Sequence, residues 1–154
     1  MGKIKSVLFI CTGNSCRSVM AEGLLKKYLS QLGKADIEVR SAGIFALKDF
    51  TPTKETQEVM KEEGIDVSNH RSKNLTEEMI SEADIIFVME LLHKDEVLRR
   101  VPEAAGKTYL LKEFGIDHKI TKADIPDPIG RPIEDYKNCL ATIKQEIERI
   151  AKIL

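Results

Sequence analysis

The sequence predicts an α/β fold: a single domain, residues 1–154, built on a four-stranded parallel sheet with helices on both faces. Strand-like and helix-like segments alternate along the chain, and strands separated by helices form parallel sheets with right-handed crossovers. The chain has 154 residues, of which 42% are apolar, which is enough for one full hydrophobic core. No linker, low-complexity segment or internal repeat divides the sequence, so we expect no second domain.

The first half of the chain predicts two strands and two helices. The continuous apolar run after Lys5, Ser6–Ile10, is typical of a parallel strand covered on both faces. Apolar residues then recur at helical spacing over Ser18–Leu32, and the glycine that follows ends this helix. Ile37–Arg40 is the second predicted strand, and Thr53–Glu63 is a predicted helix that also stops at a glycine.

The second half continues the alternation. Asp84–Met89 predicts the third strand, Leu91–Arg100 a short helix, and Lys107–Leu111 the fourth strand. A long final helix is predicted over Ile133–Ile153. Ligands on parallel sheets bind at the carboxyl ends of the strands, near the point where the strand order reverses. Functional residues are therefore expected directly after strand ends.

Composition excludes several functional classes. The chain carries 24 Lys and Arg against 25 Asp and Glu, a net charge of -1, so we expect no broad attraction to nucleic acid or to an anionic membrane. The N-terminal apolar run is too short for a signal peptide, and nothing reaches the length of a membrane span. Three cysteines without an export signal favour reduced thiols over a disulfide scaffold. We expect a cytoplasmic protein with no nucleic-acid or membrane partner. Its oligomeric state is open, with a monomer as the simplest expectation.

The segment Cys11–Ser18, CTGNSCRS, links the first strand to the first helix. A loop in this place can curl so that its backbone N–H groups bind an oxyanion, and the helix dipole adds to the attraction. Gly13 relieves the steric cost of unusual backbone angles, and Arg17 adds a fork to two oxygens of a tetrahedral oxyanion. A thiol at the base of that loop, Cys11, is then expected to be a thiolate at neutral pH. Ser18 can donate a hydrogen bond to it.

Residue types exclude the rival interpretations of this loop. It lacks the Lys-Ser/Thr pair of a nucleotide P-loop and the Gly-x-Gly-x-x-Gly of a dinucleotide site. Four residues, not two, separate Cys11 from Cys16, so a thioredoxin-like redox pair is also disfavoured. A lone buried cysteine usually serves only as a small apolar residue. Here, however, a strand is followed by a cysteine, five residues, Arg-Ser and a helix, and this is the context that nucleophilic catalysis requires. Neither His93 nor His118 has neighbours at metal-ligand spacing, so we expect no metal and no other cofactor.

The stretch Val7–Ser18, followed by Met20-Ala21-Glu22, resembles the signature of the low-molecular-weight protein-tyrosine phosphatase family. The similarity extends over nearly the whole chain, through Arg40-Ser41-Ala42-Gly43, Gly64-Ile65, Leu75-Thr76 before Ala83-Asp84, and Asp127-Pro128. This superfamily contains phosphotyrosine phosphatases, bacterial protein-arginine phosphatases and thioredoxin-coupled arsenate reductases. The resemblance implies a four-stranded parallel sheet, a covalent cysteinyl-phosphate intermediate and no metal.

The resemblance also implies roles for individual residues. Cys11 would be the nucleophile, Arg17 would clamp the phosphoryl group, and Asp127 would be the general acid. The phosphate-binding residues would be Thr12, Gly13, Asn14, Ser15, Cys16, Arg17 and Ser18. Within this loop Asn14 would hold the shape and Ser18 would tune the thiolate.

Two further side chains, Ser41 and His70, look like the members of the family network that support Asn14.

Chemistry independently requires an acid, because a phosphoryl leaving group must receive a proton. A positioned carboxyl group contributes typically about 10²–10⁴-fold, and the same carboxylate can then activate the hydrolytic water. The loop 122–130, which two prolines stiffen, offers Asp124 and Asp127. The residues alone do not decide between them, and only the resemblance selects Asp127.

The substrate divides the superfamily. Arsenate reductases need a further cysteine pair near the third strand, and residues 87–97 contain none, so we reject the reductase. Tyrosine phosphatases typically carry a bulky aliphatic residue at the position of Ser15 and aromatics after Asp-Pro, whereas this chain has Ile129-Gly130-Arg131, which predicts thinner apolar walls. Arginine phosphatases carry a threonine at the Ser15 position, and segments 110–114 and 133–137 resemble that subgroup.

Phosphotyrosine in a protein is the first predicted substrate, because it is the family's defining activity, and phosphoarginine is a close second. An inactive phosphate-binding module is disfavoured, because Cys11, Arg17 and Asp127 are all present.

Two cysteines remain. Cys16 lies beside the nucleophile, so we predict that a sulfenic acid on Cys11 is trapped as a Cys11–Cys16 disulfide and protected from irreversible oxidation. Cys139 lies on the last predicted helix, where burial as a small apolar residue is the simpler interpretation.

Overall fold

The computed structural model describes residues 2–154. One sheet of four parallel strands has the order β2-β1-β3-β4. The strands are β1 (Ser6–Cys11), β2 (Glu38–Gly43), β3 (Ile85–Val88) and β4 (Thr108–Leu110). The predicted single-domain α/β fold with a four-stranded parallel sheet is confirmed.

Over residues 2–154, five α-helices and one 3₁₀ helix connect and cover these strands. They are α1 (Arg17–Gln31), α2 (Lys54–Glu62), α3 (Glu77–Glu82), α4 (Leu91–Arg100), the 3₁₀ helix Pro102–Lys107, and α5 (Ile133–Ile153). The sequence did not predict α3, which has only six residues and therefore shows no helical repeat of apolar positions. Its visible signal is the N-cap Thr76, whose side chain accepts a hydrogen bond from Met79 N at 3.1 Å.

The second strand is longer than predicted. It runs past Arg40 to Gly43, and Ser41, Ala42 and Gly43 pair with Phe9, Ile10 and Cys11 of β1. Small residues of low strand propensity hide this end of β2 in the sequence, because pairing with the central strand, and not local preference, makes it a strand.

The sheet separates two apolar cores, which explains why β1 is apolar at every central position. Val7 and Phe9 pack with residues of α1 and α5 on one face, while Leu8 and Ile10 pack with residues of α4 on the other. Phe9 also stacks on Phe87 of β3, with ring centroids 5.6 Å apart. Among residues 2–154, none of the helices combines the length and apolar character needed to cross a membrane.

The strand order places a switch point at β1. Its neighbours are β2 on one side and β3 on the other, and α1 leaves β1 toward one core while α4 leaves β3 toward the opposite core. A crevice opens between the carboxyl ends of strands in such an arrangement. Cys11, the last residue of β1, lies at this edge.

Candidate active site

The loop from Cys11 to Arg17 connects β1 to α1 at the switch point. Both end residues are buried, and α1 begins at Arg17. The N-cap residue, Cys16, makes no side-chain hydrogen bond to the first turn in the described part of the chain, which leaves the amide groups of that turn for an anion. Asn14 has a φ of 53°, in the left-handed region that asparagine tolerates better than most residues.

Hydrogen bonds to the buried Asn14 side chain fix this turn. Asn14 Nδ2 donates to Ser18 Oγ at 2.8 Å and to Ser41 Oγ at 2.9 Å. Its Oδ1 accepts from Lys73 N at 3.1 Å and lies 3.2 Å from His70 Nε2. The structure thus brings Ser18 to Asn14 together with Ser41 and His70, the two residues that the resemblance assigned to the support of Asn14.

The same network continues behind the loop. Ser41 Oγ donates to the carboxylate of Glu22 on α1. Burial lowers the pKa of His70, although the charge of Glu22 opposes this shift. A neutral ring is consistent with His70 Nε2 donating to the two oxygens of Asn14, at 3.2 and 3.3 Å.

The Cys11 thiol faces the hydroxyl of Ser18. Cys11 Sγ and Ser18 Oγ are 2.9 Å apart. Ser18 Oγ already accepts from Asn14 Nδ2, so its own hydrogen is available to donate to sulfur.

Arg17 lies buried at the centre of the site. Its Nη1 donates to the carbonyl oxygen of Ile125 at 2.7 Å and lies 3.1 Å from Glu90 Oε2, while Nη2 lies 3.4 Å from Asp127 Oδ2. Burial lowers the pKa of Arg17, but the charges of Cys11, Asp127 and Glu90 outweigh it and raise the pKa above its usual value. Within residues 2–154, Nε has no hydrogen-bond partner although it is buried, so a donor remains for a bound oxyanion.

The two aspartates between which the residues alone could not choose have different positions. Asp127 lines the cleft above Cys11, is about one third exposed, and accepts from Ile129 N at 3.1 Å. Asp124 accepts instead from Leu91 N, at the start of α4, at 2.8 Å, which anchors the base of the same loop. Of these two aspartates, Asp127 lines the cleft with Cys11 and Asp124 does not.

A cleft of about 770 Å³ opens over the loop. Its floor includes Cys11, Ser15 and Arg17, and its mouth is lined by the exposed apolar side chains Phe45, Leu47, Phe50 and Ile129. The first three follow β2 and were missed in the sequence, where the expectation was that the apolar walls are thin. Their signal was the presence of isolated large apolar residues in the polar segment after a strand end.

Glu90 and His93 were also missed. His93 is fully buried, with Nε2 2.9 Å from Thr12 Oγ1 and Nδ1 3.0 Å from Glu90 N. Burial and the charge of Arg17 lower the pKa of His93 to about 3. Both residues follow β3, as Cys11 ends β1, so their place after a strand end was the available signal.

Two remaining features are the third cysteine, Cys139, and the arrangement of possible metal ligands. Cys139 is buried on α5, and burial raises its pKa to about 12, which makes it an unreactive thiol at neutral pH. In the part of the chain that the structure describes, no group of three His, Cys, Asp or Glu side chains is arranged to hold a metal ion.

Comparison with known proteins gives the family. The family model described as low molecular weight phosphotyrosine protein phosphatase matches residues 6–154. A protein-arginine-phosphatase of Geobacillus stearothermophilus is 41% identical over 148 residues, 96% of this chain and 95% of that protein. A probable low molecular weight protein-tyrosine-phosphatase of Ralstonia nicotianae is 35% identical over 94% of this chain and 92% of that protein.

Solved structures agree with this result. A low molecular weight protein tyrosine phosphatase from T. tengcongensis superposes with a TM-score of 0.88 and 41% identity, covering 97% of this chain and 99% of that chain. With a family model over almost the full length and relatives of this identity, the chain belongs to the low molecular weight phosphotyrosine protein phosphatase family.

Proposed function

We propose that this phosphatase hydrolyses phosphotyrosine in proteins, with Cys11 as nucleophile, Arg17 as phosphoryl clamp and Asp127 as general acid. One observation carries the proposal: the Cys11 thiol, the buried Arg17 guanidinium and the Asp127 carboxyl meet in one cleft whose mouth is apolar. An aromatic ring entering such a mouth buries apolar surface while its phosphate reaches the loop.

The reaction follows from the positions of these groups. Cys11 Sγ attacks phosphorus, the bond from phosphorus to the phenolic oxygen breaks, and Asp127 gives its proton to that oxygen. Arg17 and the amides at the start of α1 stabilise the negative charge on the transferred phosphoryl group. In the second step Asp127, now a carboxylate, takes a proton from water, which attacks phosphorus and releases inorganic phosphate and the Cys11 thiolate.

The remaining loop residues support this chemistry. Thr12, Gly13 and Ser15 line the cleft beside Cys11, and Asn14 keeps the left-handed turn that orients the loop amides. Ser18 stabilises the thiolate through its 2.9 Å contact with Sγ.

Phosphoarginine is the second candidate. Two observations favour it: the 41% identity to a protein-arginine-phosphatase, and the Ser15 side chain in the cleft wall, where a hydroxyl can contact a guanidinium nitrogen. Serine in this place gives less apolar contact to a phenyl ring than an aliphatic residue.

A paired turnover assay tests both substrates. A phosphotyrosine peptide and a phosphoarginine peptide of the same flanking sequence are compared by kcat/KM, with Cys11→Ser and Asp127→Asn as controls. We expect phosphotyrosine to be the better substrate, Cys11→Ser to be inactive, and Asp127→Asn to lose roughly 10²–10⁴-fold. A higher kcat/KM for phosphoarginine would replace the first candidate by the second.

Four expectations from the sequence stay predictions: one functional domain over residues 1–154, a monomeric state, a cytoplasmic location, and the absence of nucleic-acid and membrane partners.

The turnover assay also tests whether the chain is an enzyme. If neither peptide turns over while Cys11→Ser still binds phosphate, the chain is a phosphate-binding module and the proposed hydrolysis is wrong.

A further inference from the structure

His93 lies behind the phosphate loop and has a defined tautomer. The backbone N–H of Glu90 can only donate, and it points at His93 Nδ1 at 3.0 Å, so Nδ1 carries no hydrogen. The proton of the neutral ring is therefore on Nε2. This nitrogen lies 2.9 Å from Thr12 Oγ1, which makes His93 the donor and the Thr12 hydroxyl the acceptor.

The Thr12 hydroxyl receives a second donor from the opposite side. Arg17 Nη2 donates to Thr12 Oγ1 at 3.4 Å. A hydroxyl oxygen has two acceptor positions and one hydrogen, so two incoming N–H groups occupy both acceptor positions. Elsewhere in residues 2–154 the Thr12 hydroxyl has no acceptor, and Thr12 lines the cleft directly after Cys11.

We propose that His93 is a positioning residue that holds the Thr12 hydroxyl as a hydrogen-bond donor to the oxyanion in the cleft. Thr12 then contributes a side-chain donor in addition to the loop amides, and it is a contact residue for the phosphoryl group. The inference rests on the proposed function for its catalytic meaning. Its physical content, a hydroxyl directed at a bound oxyanion, is independent of which phosphorylated residue is hydrolysed.

The charges around His93 keep the ring in this state. Arg17 and Glu90 are the charged side chains that face it, and Arg17 opposes a second positive charge. The ring has no exposed surface, and its pKa of about 3 keeps it neutral at neutral pH. Protonation of Nδ1 would also break its bond with Glu90 N.

Variants of Thr12 and His93 distinguish the loss of a hydrogen-bond donor from the loss of side-chain packing. His93→Asn keeps an acceptor near the Nδ1 position and removes the Nε2 donor, whereas His93→Gln keeps a donor near the Nε2 position. Thr12→Val removes the hydroxyl at constant shape, and Thr12→Ser keeps it. The exposed His118 supplies a control, His118→Asn.

Calorimetric titration of the folded proteins with inorganic phosphate is the first measurement. We expect Thr12→Val and His93→Asn each to weaken phosphate binding roughly tenfold, as for the loss of a hydrogen bond to a charged group. His93→Gln and Thr12→Ser should recover most of the affinity, and His118→Asn should equal the parent. In the double variant, His93→Asn should add nothing to Thr12→Val, because its effect passes through the hydroxyl.

Nitrogen-15 NMR of the His93 ring in the unaltered protein tests the tautomer directly, even if a variant fails to fold. A hydrogen on Nε2 supports the inference, and a hydrogen on Nδ1 overturns it. Additive losses in the double variant, or unchanged phosphate affinity in folded Thr12→Val, also overturn it. Failure of peptide turnover with these binding effects intact would refute the proposed function and leave this inference standing.

Discussion

Arg17 Nη1 lies 3.1 Å from Glu90 Oε2, so the guanidinium has an anionic partner outside the loop that carries it. The register of the sheet explains the contact, since Ile10 of β1 pairs with Val88 of β3 and the residues just beyond these two strand ends are neighbours. Glu90 also accepts from His93 N with its side chain and is the N-cap of α4. The Glu90 carboxylate therefore both contacts the Arg17 guanidinium and caps the N-terminus of α4.

Glu90→Ala should lower both activity and stability. Loss of the cap at the start of α4 costs about 0.5–2 kcal/mol of unfolding free energy, and the less restrained Arg17 should reduce kcat/KM about tenfold. Glu90→Gln keeps an oxygen for both hydrogen bonds, so its unfolding free energy should stay close to that of the parent. Urea unfolding and peptide turnover measure the two effects, and equal losses in both variants would contradict the geometric role.

His93 should give the stability of the protein a pH dependence. Its pKa falls from 6.5 to about 3 on folding, so between these values the unfolded chain binds a proton that the folded chain does not. The stabilising contribution is complete above pH 6.5 and is lost as the pH falls toward 3. The unfolding free energy of the parent minus that of His93→Asn should therefore fall by up to about 1.4 kcal/mol per pH unit.

Urea unfolding at several pH values between 7 and 4 measures this difference, and comparison within one pH value cancels the titration of the other groups. His118→Asn is the matched control for the replacement of a histidine at an exposed position. A constant difference between the parent and His93→Asn would mean that the ring takes up its proton at the same pH in the folded and the unfolded protein, so that folding does not lower its pKa.

The sequence predicted the fold well because its strands carry strong local signals. The apolar runs of β1 and β3 are continuous since both faces of the sheet are covered, and Cys11 and Arg17 stand next to a strand end and a helix start. The structure then placed Ser41 and His70 against Asn14, contacts over 27 and 56 residues of chain that no local pattern contains.

The missed part of the site has a common cause. Phe45, Glu90 and His93 carry only the weak signal of standing after a strand end, because their importance comes from which strand ends become neighbours in the sheet. Exposed Phe45 resembles any surface residue in the sequence, and His93 resembles an isolated histidine. Only the order β2-β1-β3 brings the segments after β2 and β3 to opposite sides of Cys11.

Phe45 should contribute to recognition of an aromatic substrate. Its side chain lines the mouth of the cleft and is 83% exposed, so it can cover an entering ring. Phe45→Ala should lower kcat/KM for the phosphotyrosine peptide roughly 2- to 10-fold, the range of an aromatic pair, and have little effect on acetyl phosphate. Leu32→Ala, at the far end of α1, is the control for loss of an exposed apolar side chain. Equal losses on both substrates would argue against ring contact.

Cys16 should protect the nucleophile from irreversible oxidation. Cys16 is buried at the N-cap of α1, in the same loop as Cys11. After peroxide treatment, a sulfenic acid on Cys11 is attacked by the Cys16 sulfur, which forms the disulfide and releases water, and an added thiol then restores both residues. Cys16→Ala should regain less activity than the parent, and Cys139→Ala should behave like the parent. The Cys11–Cys16 disulfide is detected by mass spectrometry, and full recovery of Cys16→Ala refutes the idea.

Gly43 should be intolerant of a side chain because the phosphate loop passes against it. A Cβ at this position would lie 2.5 Å from the carbonyl oxygen of Thr12 and 3.0 Å from Asn14 N. Gly43 cannot retreat, since its N–H donates to Lys73 O at 2.9 Å and its carbonyl accepts from Leu75 N at 2.8 Å. The loop must therefore move instead.

Gly43→Ala is expected to reduce kcat/KM by about 100-fold or more, because a loop displaced by roughly 1 Å no longer holds the phosphoryl group in line with the thiolate. Its unfolding free energy should fall by about 1–3 kcal/mol, as in other overpacked sites. Gly106→Ala is the control, since a Cβ at that position meets no atom within 4 Å. Turnover and urea unfolding of the two variants give the comparison. Near-parent activity in folded Gly43→Ala would show that the loop can shift without loss of its chemistry, which the hydrogen bonds of Asn14 argue against.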